Sequence, residues 1–251
     1  MTTNGTQSTN GHSAHPKIHL YTNHGCPFAH RAHIALAELD LPFEETILDL
    51  SVPRPQWYLD INPRGLVPSI KYSVPGLFDE EIITESAIVS QFLADLFPGP
   101  LLPASKESPS SALKRARVNF FVDTWGTKVM SFQYQVLQAS SEDKEEKSDA
   151  WFKAIEKEIE PLLADAAPFF GGSKEITLAE VIAAPFVVRY KDFAADGVLV
   201  PKSFGEKLAK LPNYSKWAKA IGEKETVTRI YDGADIVEKT KGRMEKLKAA
   251  K

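Results

Sequence analysis

Strand-like runs of residues occur only in the first hundred residues of this 251-residue chain. Lys17 to Tyr21 and Phe43 to Leu50 have the pattern of strands, and Pro27 to Leu39 between them carries apolar residues at helical spacing. This order predicts a βαβ unit over residues 17 to 50, with parallel strands and a right-handed crossover.

The next fifty residues predict a short helix, a hairpin and a longer helix. The short helix is expected near Gln56 to Ile61. Ser69 to Tyr72 and Leu77 to Asp79 flank a Val-Pro-Gly turn signal, so they are expected to be antiparallel strands. Ser86 is the expected N-cap of the longer helix. The order β-α-β followed by β-β-α predicts a thioredoxin-like domain over residues 17–99.

After a proline-rich linker at residues 100–108, only helical patterns remain, which predicts an all-α domain over residues 109–251. Its first helix is expected from about Ser111 to Gln138, with Leu113 and Trp125 on its buried side. Thr177 to Glu180 is a capping-box sequence in front of an apolar run and predicts another helix start. The predicted fold class is therefore α+β, a thioredoxin-like domain followed by an all-α domain.

Charge and composition exclude several classes of protein. The 30 basic and 33 acidic residues give a formal charge of -3, so we expect no nucleic-acid partner. No apolar run approaches the roughly 20 residues that a membrane-spanning helix needs, so we expect no membrane partner. Residues 1–16 are polar without a secretory pattern and predict a disordered tail. With a single cysteine there is no internal disulfide, which favours a cytoplasmic location.

The most informative motif is Gly25-Cys26-Pro27-Phe28, between the first strand and the first helix. Proline is favoured at the first helical position, so Cys26 is expected at the N-cap. There the free backbone N–H groups and the helix dipole favour a thiolate. His30 and Arg31, one turn later, are expected to add positive potential. The alternative is a buried cysteine that serves as a small hydrophobic residue, but the position favours a reactive thiol.

Cys26 has no resolving partner within the chain. Ala29 occupies the position of the second cysteine in a dithiol thioredoxin-like site, and the chain has no other cysteine. A thiolate that attacks a disulfide would form a mixed disulfide with a small thiol, and a second thiol molecule must release it. Glutathione is the abundant candidate for that thiol.

Two further signals suit a peptide-like thiol. A proline in Leu66-Val67-Pro68 suits the entrance of a strand, but a cis-proline turn beside the thiol would leave the backbone of Val67 free to pair with a ligand. Glu85 and Ser86 at a helix start are either an acid that complements the dipole and a cap, or groups that hold the ammonium and the carboxylate of a γ-glutamyl ligand.

Together these motifs resemble the omega-class glutathione transferases over residues 17 to 235, closely in the first half. The matching segments are Cys26-Pro27-Phe28-Ala29, Pro55-Gln56-Trp57-Tyr58, Asn62-Pro63-Arg64-Gly65-Leu66-Val67-Pro68 and Glu85-Ser86-Ala87-Ile88. The resemblance implies the glutathione transferase fold, glutathione as co-substrate, no metal and a homodimer.

The resemblance also implies roles for individual residues, with Cys26 as the catalytic nucleophile. The residues that it assigns to glutathione are Phe28, Arg54, Val67, Pro68, Glu85 and Ser86. Arg54 stands where the family has a lysine for the glycine carboxylate, and an arginine is forked and bulkier. Trp125 and Trp217 are expected in the second-substrate pocket.

The implied activity is thiol transfer, with reduction of disulfides, dehydroascorbate or glutathionyl adducts. The partners are then glutathione and a small electrophilic or disulfide substrate. Conjugation of electrophiles to glutathione is the alternative within the enzymes. Two non-enzymatic alternatives remain, a ligand-binding protein of the same fold and a chloride-channel-like relative that inserts into membranes. The lack of a long apolar segment in residues 17 to 50 argues against the last.

All six histidines fall within the first 33 residues, which raises the question of a metal site. His12 and His15 lie in the polar tail, and the sequence shows no carboxylate or thiol cluster that would complete a tetrahedral set. We therefore expect no metal.

Overall fold

The structure, a computed structural model, describes residues 16–249. Four strands form one mixed sheet in the order β2-β1-β3-β4, and they are β1 (Lys17–Thr22), β2 (Glu44–Ile47), β3 (Ser69–Val74) and β4 (Phe78–Thr84). Strands β1 and β2 are parallel, whereas β3 is antiparallel to both β1 and β4. The predicted βαβ unit and hairpin are thus present. The predicted disordered tail lies outside the described residues, apart from Pro16.

Eleven α-helices occur between residues 16 and 249. They are α1 (Pro27–Glu38), α2 (Gln56–Ile61), α3 (Ser86–Leu96), α4 (Pro109–Thr124), α5 (Met130–Leu137), α6 (Lys144–Glu158), α7 (Leu178–Asp196), α8 (Lys202–Leu208), α9 (Pro212–Glu223), α10 (Glu225–Thr228) and α11 (Gly233–Ala249). None of these helices is both long and apolar enough to span a membrane. The fold is the predicted one, a thioredoxin-like sheet with its helices followed by a helical region.

Helix α1 packs between the sheet and the helical region. Pro27 at its first position and Cys26 at its N-cap set where it begins, as predicted. The same hydrophobic cluster contains Leu36 of α1, Leu20 and Ile70 of the sheet, and many side chains of the later helices. One hydrophobic cluster therefore contains residues of both the sheet and the helical region. Helix α7 of the helical region packs against α1 and α3 of the sheet domain.

Two details of the helices differ from the sequence predictions. The helix expected over residues 111–138 is divided by a π-helical turn at Trp125–Val129, and its residue Leu113 is 55% exposed instead of buried. The N-cap of α3 is Glu85, not Ser86, which is the first helical residue. Glu85 has a positive φ of 69°, and its side chain makes no capping hydrogen bond.

Helix α7 is the central helix of the second region and is buried along most of its length. The capping box at its start is present as predicted, because the Thr177 side chain accepts from a backbone N–H and Glu180 accepts from the backbone N–H of Thr177. Glu180 is fully buried and also accepts from the Trp217 indole at 2.7 Å. This network joins α7 to α9.

Candidate active site

Cys26 lies at the N-cap of α1 with extended backbone angles and is partly exposed. Its backbone N–H donates to the carbonyl of Asn23 at 3.0 Å, which closes the turn after β1. Its sulfur makes no capping hydrogen bond to the helix, so the N–H groups of the first turn remain available to a ligand or to a thiolate beside them. A thiol in this position meets both the helix terminus and solvent.

The turn before β3 lies next to this sulfur. The Val67-Pro68 peptide bond is cis, and the Val67 carbonyl oxygen is 4.0 Å from Cys26 Sγ. Tyr58 and Asn62 both donate to the carbonyl of Leu66, at 2.6 and 2.8 Å, and hold the turn from behind. The sequence prediction of a cis-proline turn beside the thiol therefore matches the structure.

The start of α3 presents Glu85 and Ser86 in different ways. Glu85 is partly exposed, and its Oε1 lies 2.5 Å from Nη1 of Arg64 in a surface ion pair. Ser86 is buried, and its Oγ accepts a hydrogen bond from Nη1 of Arg31 at 3.0 Å. The Glu85 carboxylate is thus accessible to a ligand, whereas the Ser86 hydroxyl is already hydrogen-bonded to the Arg31 guanidinium on α1.

Arg31 is a buried guanidinium one turn after Cys26. It donates to the Ile182 carbonyl at 2.9 Å, to Ser86 and to the Met130 sulfur at 3.3 Å. Within residues 16–249 no carboxylate lies at ion-pair distance from it. Burial lowers the pKa of Arg31 to about 10, so it stays charged at neutral pH. The positive potential that the sequence placed here is therefore present.

A second buried guanidinium, Arg189 of α7, reaches the same loop from the other region of the chain. Its Nη2 donates to the carbonyl of Gly25 at 3.1 Å, and its Nη1 donates to the carbonyl of Pro185 at 2.6 Å. It too has no carboxylate partner at ion-pair distance among the described residues. Burial lowers its pKa to about 10, and both arginines interact electrostatically with Cys26. Sequence reasoning missed Arg189; the only signal was an arginine directly after an apolar helical run.

His30 corrects one expectation. Its Nε2–H donates to the carbonyl of Val227 at 2.8 Å, and Nδ1 lies 3.3 Å from Nη1 of Arg189. Burial, with the Arg189 charge as a second cause, lowers the pKa of His30 to about 3. His30 is therefore neutral at neutral pH and adds no positive potential, so Arg31 and Arg189 supply it.

Phe28 and Arg54 were both assigned to glutathione, and the structure places them differently. Phe28 is partly exposed beside Cys26, and it packs edge-on against Phe186 at 5.5 Å with the Arg31 guanidinium 5.2 Å from its ring. Arg54 donates instead to four backbone carbonyls, those of Asp49, Leu50, Val52 and Gly65. Its guanidinium braces the loop after β2, which leaves a single N–H for any carboxylate.

Trp125 and Trp217 do not line an open pocket in this structure. Both indoles are fully buried, 6.2 Å apart between ring centroids, and pack with Phe121. Their positions follow from large apolar area at helical spacing, which favours the core of the helical region. The expectation of a second-substrate role for these two residues is corrected accordingly.

Comparisons with known proteins agree with this geometry. Residues 25–96 match the family model described as glutathione S-transferase, N-terminal domain. The chain is 29% identical over 195 residues to glutathione S-transferase DHAR2 of Arabidopsis thaliana, covering 76% of this chain and 78% of the relative. It is 26% identical over 211 residues to a probable glutathione transferase omega-2 of Caenorhabditis elegans, covering 81% and 76%.

Among solved structures, glutathione transferase Omega 1C from Trametes versicolor superimposes with a TM-score of 0.75 at 28% identity. The match covers 91% of this chain and 97% of that structure. These comparisons confirm the predicted resemblance to omega-class glutathione transferases, the predicted fold and the predicted class of enzyme.

Proposed function

We propose that this chain, a relative of the omega-class glutathione transferases, is a glutathione-dependent thiol transferase and reductase with Cys26 as its nucleophile. The observation that carries the proposal is one accessible sulfur at a helix N-terminus beside two buried arginines, neither of which has a carboxylate at ion-pair distance within residues 16–249. Such surroundings stabilise a thiolate, and the thiolate is the nucleophile in disulfide exchange. The names of the relatives support glutathione as the co-substrate.

The reaction has two exchange steps. The Cys26 thiolate attacks the glutathionyl sulfur of a mixed disulfide, forms a Cys26–glutathione disulfide and releases the substrate thiolate. A second glutathione thiolate then attacks the glutathionyl sulfur of that disulfide, which releases oxidised glutathione and restores the Cys26 thiolate. Ala29 offers no second thiol, so the release step needs the external glutathione molecule.

The residues around Cys26 offer partners for the cysteinyl and the γ-glutamyl parts of glutathione. The backbone of Val67, beside the sulfur and before cis-Pro68, would pair with the cysteinyl peptide groups in strand-like fashion. The exposed carboxylate of Glu85 would pair with the γ-glutamyl ammonium, and the N-terminus of α3 at Ser86 would hold its carboxylate. Phe28 would form an apolar wall. Arg54 is left out of this set because its donors brace the loop.

The substrates proposed are disulfides, glutathionyl adducts and dehydroascorbate. In the reduction of each, a glutathione thiol either attacks the substrate or is released from it.

We also propose a cytoplasmic homodimer. Its interface would include α4, because Leu113 and Phe120 on that helix are 55% and 59% exposed. Sedimentation of the chain beside a Phe120→Glu variant tests the dimer, and a monomeric wild type would contradict it.

The function is tested with wild type, Cys26→Ser and Cys26→Ala in two assays. Reduction of bis(2-hydroxyethyl) disulfide by glutathione should be lost in both variants, since neither can form the mixed disulfide. Conjugation of chlorodinitrobenzene should persist or rise in Cys26→Ser, because a hydroxyl can hydrogen-bond the glutathione thiolate. Disulfide reduction that survives in Cys26→Ala would overturn the proposed mechanism.

A further inference from the structure

Three potential metal ligands meet at one corner of the βαβ unit. They are His24 in the loop before Cys26, His33 on α1 and Glu45 on β2, and their ligand atoms all lie within 4.8 Å of one another. Glu45 is opposite Leu20 in the parallel pairing of β1 and β2. We expected no metal because the sequence shows no carboxylate or thiol cluster that would complete a tetrahedral set, but the fold brings the Glu45 carboxylate to two of the histidines.

The distances between these atoms suit a tetrahedral cation. Zinc bonds of about 2.0 to 2.2 Å at tetrahedral angles place neighbouring ligand atoms roughly 3.3 Å apart. His24 Nε2 lies 3.2 Å from both oxygens of Glu45, and His33 Nε2 lies 3.7 Å from Oε2. The two rings are nearly perpendicular, with centroids 5.1 Å apart. The remaining pair, the ligand atoms of His24 and His33, lies within 4.8 Å and would have to close toward about 3.3 Å around an ion.

The three side chains of the cluster differ in burial, so that the cluster is closed on the His33 side and open to solvent on the other. The His33 side chain is 2% exposed, while His24 and Glu45 are 40% and 31% exposed. Thr22 Oγ1 lies 2.8 Å from His33 Nε2 in a direct hydrogen bond, so ligation of an ion through Nε2 would replace this bond and release the hydroxyl.

We propose that His24, His33 and Glu45 form a binding site for a divalent transition-metal cation, best suited to zinc, with water in the fourth position. Two imidazoles and one carboxylate favour zinc and its neighbours over magnesium or calcium, which take mostly oxygen ligands. A bound ion would join the loop that precedes Cys26 to both β2 and α1.

A matched pair of residues on the same two strands provides the control. His19 on β1 and Glu44 on β2 also approach each other, with 3.5 Å between Nδ1 and Oε2. Between residues 16 and 249 no third side chain of a ligating type joins them. Glu44→Gln and Glu45→Gln therefore make the same change, a carboxylate to an amide, at adjacent residues of β2. Only Glu45→Gln removes a proposed ligand.

The test is calorimetric titration of the untagged full chain with zinc chloride, in a Cys26→Ser background so that the thiol cannot bind the ion. One zinc should bind per chain, and His24→Ala or Glu45→Gln should each weaken it at least about tenfold. Glu44→Gln and the double variant His12→Ala, His15→Ala should bind as the background does. Excess zinc should also raise the thermal midpoint by roughly 5 to 10 °C in the background chain and in these two control variants, but not in His24→Ala or Glu45→Gln.

Cobalt substitution supplies an independent spectroscopic readout. Cobalt bound to the Cys26→Ser chain should show the visible absorption of a tetrahedral site, and this absorption should disappear in Glu45→Gln. The proposal is overturned if zinc affinity is the same in Glu45→Gln and Glu44→Gln, or if binding vanishes when the tail histidines are removed. Absence of zinc binding in the background chain would overturn it as well.

Discussion

Helix α7 buries two charged side chains, and their surroundings differ. Glu180 near its start accepts four hydrogen bonds, from the Phe170 backbone, the Trp217 indole, and the backbone and hydroxyl of Thr177. Arg189 near its end donates to two carbonyls and approaches His30, but its buried Nε has no hydrogen-bond partner. Removing a buried group whose hydrogen bonds are complete leaves its partners unpaired and destabilises a fold, whereas a buried charge that is itself partly unpaired is costly to keep and requires another explanation.

We attribute the burial of the Arg189 charge to its position beside the Cys26 loop. Its Nη2 holds the residue before Cys26, and with Arg31 it maintains positive potential at the sulfur. Glu180 is therefore expected to affect mainly stability, and the two arginines mainly the reactivity of the thiol.

The largest effect is expected for Glu180→Ala. The substitution leaves four buried donors unpaired, so the free energy of unfolding should fall by about 3 to 5 kcal/mol. Urea unfolding measures this, with Glu156→Ala on the exposed face of α6 as the control. If the activity per folded molecule were lost while stability stayed the same, the assignment of Glu180 to stability would be wrong.

Acid should destabilise the protein through His30. Its pKa is about 3 in the folded chain against 6.5 ordinarily, so the stability it contributes is present above pH 6.5 and is lost as the pH falls toward 3. Between pH 7 and 5 the loss should be about 2 kcal/mol. Urea unfolding at both pH values should show a smaller difference in His30→Gln. An equal pH dependence in the variant would rule His30 out as the cause.

Removing either buried arginine should lower the reactivity of the Cys26 thiol. In Arg31→Gln or Arg189→Gln, alkylation of Cys26 by iodoacetamide at pH 7 should slow by about tenfold, which corresponds to about 1.4 kcal/mol of lost electrostatic stabilisation. The exposed Arg117→Gln serves as the control and should react like wild type. Unchanged alkylation in both buried-arginine variants would show that the helix terminus alone activates the sulfur.

The smallest effect is expected for Arg54→Lys. A lysine cannot reach four carbonyls with a planar fork, so the free energy of unfolding should fall by about 1 kcal/mol. The KM for glutathione should change less than twofold. A large rise in KM at unchanged stability would instead restore the predicted contact with the glycine carboxylate.

Sequence patterns among neighbouring residues predicted most of the sheet domain and the start of α7. Pro27 set the start of α1, the turn signals set the hairpin, and Thr177 with Glu180 set the start of α7, because each depends on residues close in sequence. Cys26 was identified for the same reason.

Contacts between distant residues were not predictable in this way. Arg189 is 163 positions from Cys26 in the chain, and only the packing of α7 against α1 brings it to the loop. Glu45 meets the two histidines through the parallel pairing of β1 and β2. The buried indole of Trp217 donates to Glu180 on another helix, a pairing between residues 37 positions apart.

The most direct test of the central claim is mass spectrometry of the intact chain after exposure to oxidised glutathione. We predict one added glutathionyl group, located on Cys26, removed by excess reduced glutathione and absent in Cys26→Ala. A wild-type chain that stays unmodified under conditions where it reduces disulfides would contradict the claim that this sulfur carries the reaction.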